Sequence, residues 1–298
     1  MEIRVLRYFL AVAREGNITA AANTLHLTQP TLSRQIRDLE EELGQKLFIR
    51  KSHRIVLTPE GVLLRKRAEE IISMVDKTVA EFLSMENTVS GDIYIGGGET
   101  QAIRQIAEIL KELRESFPGI HYHLYSGNAE DVTERIDKGL LDFGILIQPA
   151  DISKYDFINL PAKDRWGVIM RKDSLLAEKE FIEKRDLLGV PLICSRQAIS
   201  QHQTGNEFAD WFGEDFNKLN IVTTFNLVYN AAIMVEAGIG YAITIDKLAD
   251  TSENSNLCFR PLEPGLESGL NIIWKKYQVF SSAAALFLNR LMKRFSDV

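Results

Sequence analysis

The side chains best suited to chemistry in this chain lie close to its start. In TQPTLSRQIRDLEEEL, residues 28–43, Pro30, Ser33, Arg34 and Arg37 fall at i, i+3, i+4 and i+7, so a hydroxyl and two guanidinium groups share one helical face. Glu40, Glu41 and Glu42 crowd the other end of the segment, where they oppose the helix dipole and would repel phosphate. Only the front half therefore suits nucleic acid, which fits a helix that enters a groove by its N-terminal end. A second basic group follows in RKSHR: Arg50, Lys51 and Arg54 lie between the β-prone runs 47–49 and 55–57. A small hairpin carrying them at its tip would sit over backbone phosphate or in a minor groove.

The elements that must hold these groups can be read from spacing. Leu6, Phe9, Leu10 and Ala13 line one face of a first helix that stops at Gly16, and Asn17 caps a short second helix with Ala21 and Leu25 on one side. Pro30 is tolerated because a first-turn N–H has no intrahelical partner, and Thr28 is placed as the N-cap, its hydroxyl free to accept from a backbone N–H. Leu32, Ile36, Leu39 and Leu43 form the buried stripe of this third helix. Two short helices, a tight connection and a polar-tipped third predict a helix-turn-helix with a wing. Thr58-Pro59 repeats the cap-then-proline start, and neither Gly nor Pro interrupts residues 62–90. Along that long helix Leu64, Ala68, Ile71, Val75, Thr78 and Phe82 are spaced as a seam, expected to pair two copies because twofold DNA reading needs paired heads. NTVSG, residues 87–91, reads as a hinge.

From Asp92 strands alternate with helices, the mark of a parallel sheet covered on its faces. DIYIGGG, HYHLYS and the end of DVTERIDKGLLDFGILI are strands of a first set, with TQAIRQIAEILKELRE as an amphipathic helix between them. PLICS, IVTTF and IGYAIT, with the helices QTGNEFADWFG and YNAAIMVEAG, form a second set, and FSSAAALFLNRLMKRF closes the chain. Two such units invite a ligand between them, at strand C-termini and helix N-termini.

Charge supports a division of labour. The chain of 298 residues carries a net charge of −6, yet residues 1–67 hold 12 Lys and Arg against 7 acids, leaving the rest at −11. Phosphate binding needs local positive potential, and only the head has it. No apolar run reaches the roughly 18 residues that span a bilayer, so no membrane partner is expected. Two cysteines, Cys194 and Cys258, make no disulfide framework, which points to a reducing cytoplasm. Cys194 reads as an inert thiol rather than a redox sensor. His121 and His123 share a strand face without carboxylate or cysteine support, so no metal is expected. GGG at 96–98 lacks the Lys-Ser/Thr of a phosphate loop, and neither GxSxG, HExxH nor a convincing carboxylate pair is present, which argues against an enzyme.

The stretch NITAAANTLHLTQPTLSRQIRDLEEELGQKLFIRKSHRIVLTPEG resembles the N-terminal domain of LysR-type transcriptional regulators, and ESFPGI, GLLDFGI and VEAGIGYAI resemble segments of that family's effector domain. The likeness covers essentially the whole chain. It implies a winged helix-turn-helix over residues 1–59, a linker and dimerisation helix with hinge over 60–91, and an α/β, periplasmic-binding-protein-like effector domain over 92–298. In that domain subdomain I would span about 92–161 and 265–298, subdomain II about 162–264, with crossings near Pro161 and Pro264. By the same resemblance Gln29, Pro30, Thr31, Ser33 and Arg34 would enter the major groove, with Arg50 and Arg54 as wing contacts. Effector contacts would come from Glu99, Thr100 and Gln101, from Ser126 and Asn128, and from Ser195, Arg196, Phe225 and Asn226. Thr100 and Gln101 open a helix whose unpaired amides could hold a carboxylate, whereas Glu99 would repel an anion unless Arg196 or another cation compensates, leaving a neutral or amine-bearing effector open. The pattern departs from the family at Thr244, where a proline is common. Expected partners are double-stranded DNA, an unidentified small-molecule effector, RNA polymerase, and further copies of the chain as a homodimer or a homotetramer of two DNA-binding dimers, with no cofactor.

Overall fold

Helix α1 (Ile3–Glu15) buries Val5, Leu6, Phe9 and Val12 and ends where Gly16 takes the left-handed conformation, φ 61°, that a residue with a side chain resists. It opens the first of two compact units, Met1–Leu83 and Ser84–Val298, in a computed structural model that describes residues 1–51, 54–83, 90–199 and 206–295. Helix α2 (Ile18–Thr24) is capped as its sequence predicts, the Asn17 side chain accepting from Thr19 N and Ala20 N. Helix α3 (Gln29–Leu43) buries Leu32, Ile36 and Leu39, whereas Leu43, at the far end of the expected stripe, is exposed. Its cap differs in detail from expectation: the Thr28 hydroxyl pairs with the Thr31 hydroxyl at 2.8 Å and makes no bond to the backbone of the first turn.

Strands β1 (Phe48–Lys51) and β2 (Arg54–Leu57) form an antiparallel hairpin with Lys51 opposite Arg54, tied to α1 by the Ile55 N–H donating to Gly16 O at 2.8 Å. Helix α4 (Pro59–Leu83) then begins on a working cap, Thr58 Oγ1 accepting from Gly61 N at 2.9 Å. The helix returns across α1, and this is where the expected seam divides. Ala68 is fully buried and Leu64 partly so in the core shared with Leu6, Phe9, Leu32 and Ile36, so the first part of the spacing packs within the unit's own interior. The spacing of 3 and 4 is common to both uses, and the short core of three helices takes the first part of it.

The second unit is built on one continuous path of strands. Strand β3 (Gly91–Gly97) leads to α5 (Ile103–Ser116), β4 (Ile120–Ser126), α6 (Ala129–Asp137) and β5 (Phe143–Ile147), with β4 and β5 parallel to β3 on either side. Gly96 in β3 allows α6 and its neighbours to close down: a Cβ there would lie 2.4 Å from Leu141 Cδ1 and 3.2 Å from Val132 Cγ1. Strand β6 (Tyr155–Arg171) runs on through a short β7 (Ile182–Glu183) to the second set: β8 (Leu192–Ser195), α7 (Glu207–Phe212), β9 (Ile221–Phe225), α8 (Val228–Glu236) and β10 (Tyr241–Ile245), the strands β9 and β10 flanking β8 in parallel. Strands β11 (Leu257–Glu263) and β12 (Glu267–Lys275) lead back to the closing helix α9 (Ser282–Phe295).

The strand order is β4-β3-β5-β12-β6-β10-β8-β9, with β6 belonging to both halves. Residues 155–165 pair with β12, and residues 166–171 pair with β10 and β11. Pro161 thus lies inside the crossing strand, and the change of neighbours comes after it, at Arg165 and Trp166. The register with β12 skips Pro161 and Ala162, a bulge that suits a residue with no N–H to give. The return is made by β12, which starts three residues past Pro264. Separate apolar cores sit on the two halves: Phe143, Phe287 and Leu291 with Ile93 and Ile95 on one, and Phe208, Phe212, Val168 and Ile243 on the other.

Candidate functional site

Gln29, Pro30, Thr31, Arg34 and Arg37 are all exposed along the front of α3, while Ser33 is half-buried beside them. Since the Thr28 hydroxyl is turned to Thr31, the first-turn N–H groups of α3 have no side-chain cap, and a helix N-terminus in that state offers donors to an anion. Arg34 Nε lies 3.8 Å from Asp38 Oδ2, one turn back from the tip, with both side chains well exposed. A pair of that kind is weak and holds the guanidinium without committing it. Residues 52 and 53, and the side chains of Arg50, Lys51 and Arg54, lie outside the described residues; the strand pairing puts Lys51 opposite Arg54, with Arg50 next to them.

One residue passed over in the sequence as a mere acid has a definite task. Glu40 Oε1 accepts from Leu47 N at 2.9 Å and Phe48 N at 3.3 Å, and Lys46 Nζ donates to Oε2 at 2.7 Å. Burial pushes the Glu40 carboxyl up, but Lys46 and the two backbone donors outweigh it and hold the group below its ordinary value. The carboxylate therefore fixes the entry of β1 to the last turns of α3, coupling the hairpin to the helix it accompanies.

Exposed apolar groups continue along α4 beyond its buried part. Ile71 and Val75 are partly accessible, while Val79 and Phe82 stand 54% and 69% exposed. Val79 joins this face although its position was outside the expected seam.

In the second unit a cavity of about 70 Å³ opens between the two halves of the sheet. Of the nine residues expected to contact a ligand, Glu99, Asn128, Ser195, Phe225 and Asn226 line it. Thr100, Gln101 and Ser126 instead border a neighbouring cavity of about 350 Å³ that also touches Lys247. The Arg196 side chain is exposed and lines neither; its backbone N–H donates to Phe225 O at 2.8 Å. At the expected amide seat, Thr100 Oγ1 accepts from Ala102 N, and α5 starts at Ile103, two residues past Gln101.

Residues that spacing did not mark complete the wall: Gln148, Gln197, Trp166, Phe208, Thr244 and Ser268. Gln197 bridges the halves, its Nε2 donating to Ile147 O at 3.0 Å and Pro149 O at 3.3 Å while its Oε1 accepts from Ala129 N at 3.1 Å. Glu99 does the same from the other side, Oε2 accepting from Val228 N at 2.6 Å at the start of α8. Trp166 Nε1 donates to Ser268 Oγ at 2.8 Å, joining the two crossing strands. Nearby, Asp164 is buried with its Oδ2 unpartnered among the described residues, and burial pushes its carboxyl above the ordinary value, against a Thr100 hydrogen bond that lowers it.

Both cysteines are buried, and burial alone pushes the Cys194 thiol up to about 12. A thiol so protonated is a poor nucleophile. Among the described residues no group of three or more His, Cys, Asp or Glu side chains is placed to hold a metal; His123 pairs with Asp92 at 3.0 Å and stacks on Tyr94.

Comparison with known proteins agrees with this division into a head and a ligand cleft. Residues 3–62 match the model of the bacterial regulatory helix-turn-helix protein, lysR family, and residues 86–296 match that of the LysR substrate binding domain. The HTH-type transcriptional regulator BsdA of Bacillus subtilis is 34% identical over 215 residues, covering 70% of this chain and 72% of its own. The hydrogen peroxide-inducible genes activator of Pectobacterium carotovorum is 29% identical, over 88% of this chain and 85% of its own. Full-length CbnR, in a crystal structure with its target DNA, shares the fold with a TM-score of 0.73 at 21% identity, over 98% of this chain and 99% of that one.

Proposed function

This chain belongs to the LysR family of DNA-binding transcriptional regulators, which are not enzymes, and we propose that it reads its operator with the front of α3, pairs through the exposed end of α4, and reports a small molecule held in the cavity lined by Glu99, Gln197 and Trp166. The observation that carries the reading of the head is the polarity of α3: uncapped donors, Thr31, Arg34 and Arg37 at one end, Glu40 turned inward to the hairpin at the other. Arg34 and Gln29 reach base edges, while Arg37, Arg50, Lys51 and Arg54 bind phosphate. Two copies joined along Ile71, Val75, Val79 and Phe82 present two such tips to a twofold operator, and two dimers make the tetramer. RNA polymerase is the remaining macromolecular partner.

The cavity serves as the effector site because its walls come from both halves of the sheet and the bonds of Glu99 and Gln197 cross between them. A molecule that replaces either bond changes how the halves are held, which is the differential contact that a ligand-driven switch requires.

The test is operator binding by the full chain, with a site obtained by binding selection and affinities taken across a salt series. Arg34→Ala relaxes preference at one base position of each half-site. Replacing Arg50, Lys51 and Arg54 by Gln lowers affinity for all sequences alike and reduces the salt slope by about 0.9 for each phosphate no longer neutralised. Unchanged affinity and unchanged base preference for Arg34→Ala would remove α3 from the interface.

A further inference from the structure

The cavity has a chemical bias that its family membership does not supply. Among the described residues lining it, Glu99 is the one ionisable side chain, and two nearby cations do not line it: Arg196 is exposed to solvent and Lys247 lines the neighbouring cavity. Several donors around it are already used by the chain itself. Val228 N donates to Glu99, Ala129 N to Gln197, Asp131 N to Asn128 and Leu227 N to Asn226. Three of the side-chain N–H groups are used in the same way: Gln148 donates to Asn271, Gln197 to two backbone carbonyls, and Trp166 to Ser268. A carboxylate entering here would meet the like charge of Glu99, with no cation among the described lining residues to offset it.

Resting on the reading of this cavity as the effector site, we propose that it takes a small amine with a short apolar body, the ammonium group on the Glu99 carboxylate and the body against Trp166, Phe208 and Phe225. Size and wall chemistry agree. A cavity of about 70 Å³ holds on the order of five water-sized groups, the bulk of a short alkylamine, and an acid set among aromatic faces favours an ammonium ion over its neutral isostere. The amine draws Glu99 away from Val228 N, so binding and the bond across the cleft are coupled through one carboxylate.

The experiment uses the full chain with n-butylamine, n-butanol and butyrate, three probes of one size and different charge, followed by thermal shift and saturation-transfer NMR at neutral pH. Butylamine is expected to bind at least about tenfold more tightly than butyrate, and Glu99→Gln to cost about tenfold for the amine while leaving butanol unchanged, the difference between a charged and a neutral hydrogen bond. Butyrate preferred over butylamine, an amine preference that survives Glu99→Gln, or binding by none of the three overturns the proposal. Failure of the cavity reading has a separate signature: butylamine that binds equally well when Ser195→Leu fills the cavity occupies another surface.

Discussion

Removing the Glu40 carboxylate isolates the joint between α3 and the hairpin. Glu40→Ala leaves the Leu47 and Phe48 N–H groups without their acceptor in a part-buried turn, where the Glu40 side chain itself is only 10% exposed. Each stranded donor costs about 1–2 kcal/mol, so the loss is about 2–4 kcal/mol. Lys46 adds little, being a largely exposed partner in a pair of about 0–1 kcal/mol. Glu40→Gln keeps an amide oxygen for the two N–H groups and should lose only about 1 kcal/mol, the charged part of the bonds. Urea denaturation of the full chain reads the difference, and hydrogen exchange over residues 44–51 localises it to the turn. Because the folded carboxyl lies below its ordinary value, its stabilisation is present above the unfolded pKa and is lost as pH falls through the folded one. Glu40→Gln should flatten that part of the acid dependence. If Glu40→Ala unfolds within about 0.5 kcal/mol of the parent and exchange across the turn is unchanged, the bonds are not holding the hairpin.

Three further outcomes test other parts of the molecule. Phe82→Ala should weaken self-association about a hundredfold or more by sedimentation, since a symmetric pair loses about 1.5–3 kcal/mol twice, and an unchanged constant would place the pairing face elsewhere. Asp164→Asn should raise the melting temperature at pH 7, because a carboxyl whose folded pKa is raised gives its full stability only below the unfolded value and loses it as pH rises; the gain should vanish below about pH 4. Equal melting at both pH values would show that Asp164 is not desolvated. Native protein should react with Ellman's reagent at Cys194 only on unfolding, and millimolar peroxide should leave operator binding unaltered; rapid labelling of folded protein would contradict the buried, protonated thiol.

Periodicity exposed much of this fold and little of its bonding. The first three positions of the α3 stripe and the caps at Asn17 and Thr58 follow from local rules, because the residues that decide them lie within two turns of each other, whereas α1 buries Val5 and Val12 in place of the expected Leu10 and Ala13. Strand β6 escaped because its length comes from two different sets of neighbours, and Pro161 reads as an end when it occupies a bulge. Leu64 and Ala68 have the spacing of a seam, but spacing states only that something packs there, and α1 reached them first. Within the cleft, Ser195, Asn128 and Phe225 were named through the family resemblance, and all three line the cavity. Gln197 and Trp166 gave no comparable signal: the one is an ordinary polar residue beside a strand, the other an aromatic that could equally fill a core. Glu40 was hidden for the same reason, since its partners become visible only once the turn of residues 44–47 is folded.

Strand β6 has a mechanical meaning. A backbone ribbon that crosses unbroken from one sheet to the other, with β12 alongside and Trp166 stitched to Ser268, behaves as a torsion bar rather than a loose pivot. Turning one half against the other has to wring two adjacent ribbons at once, and their register is broken only at Pro161 and Ala162.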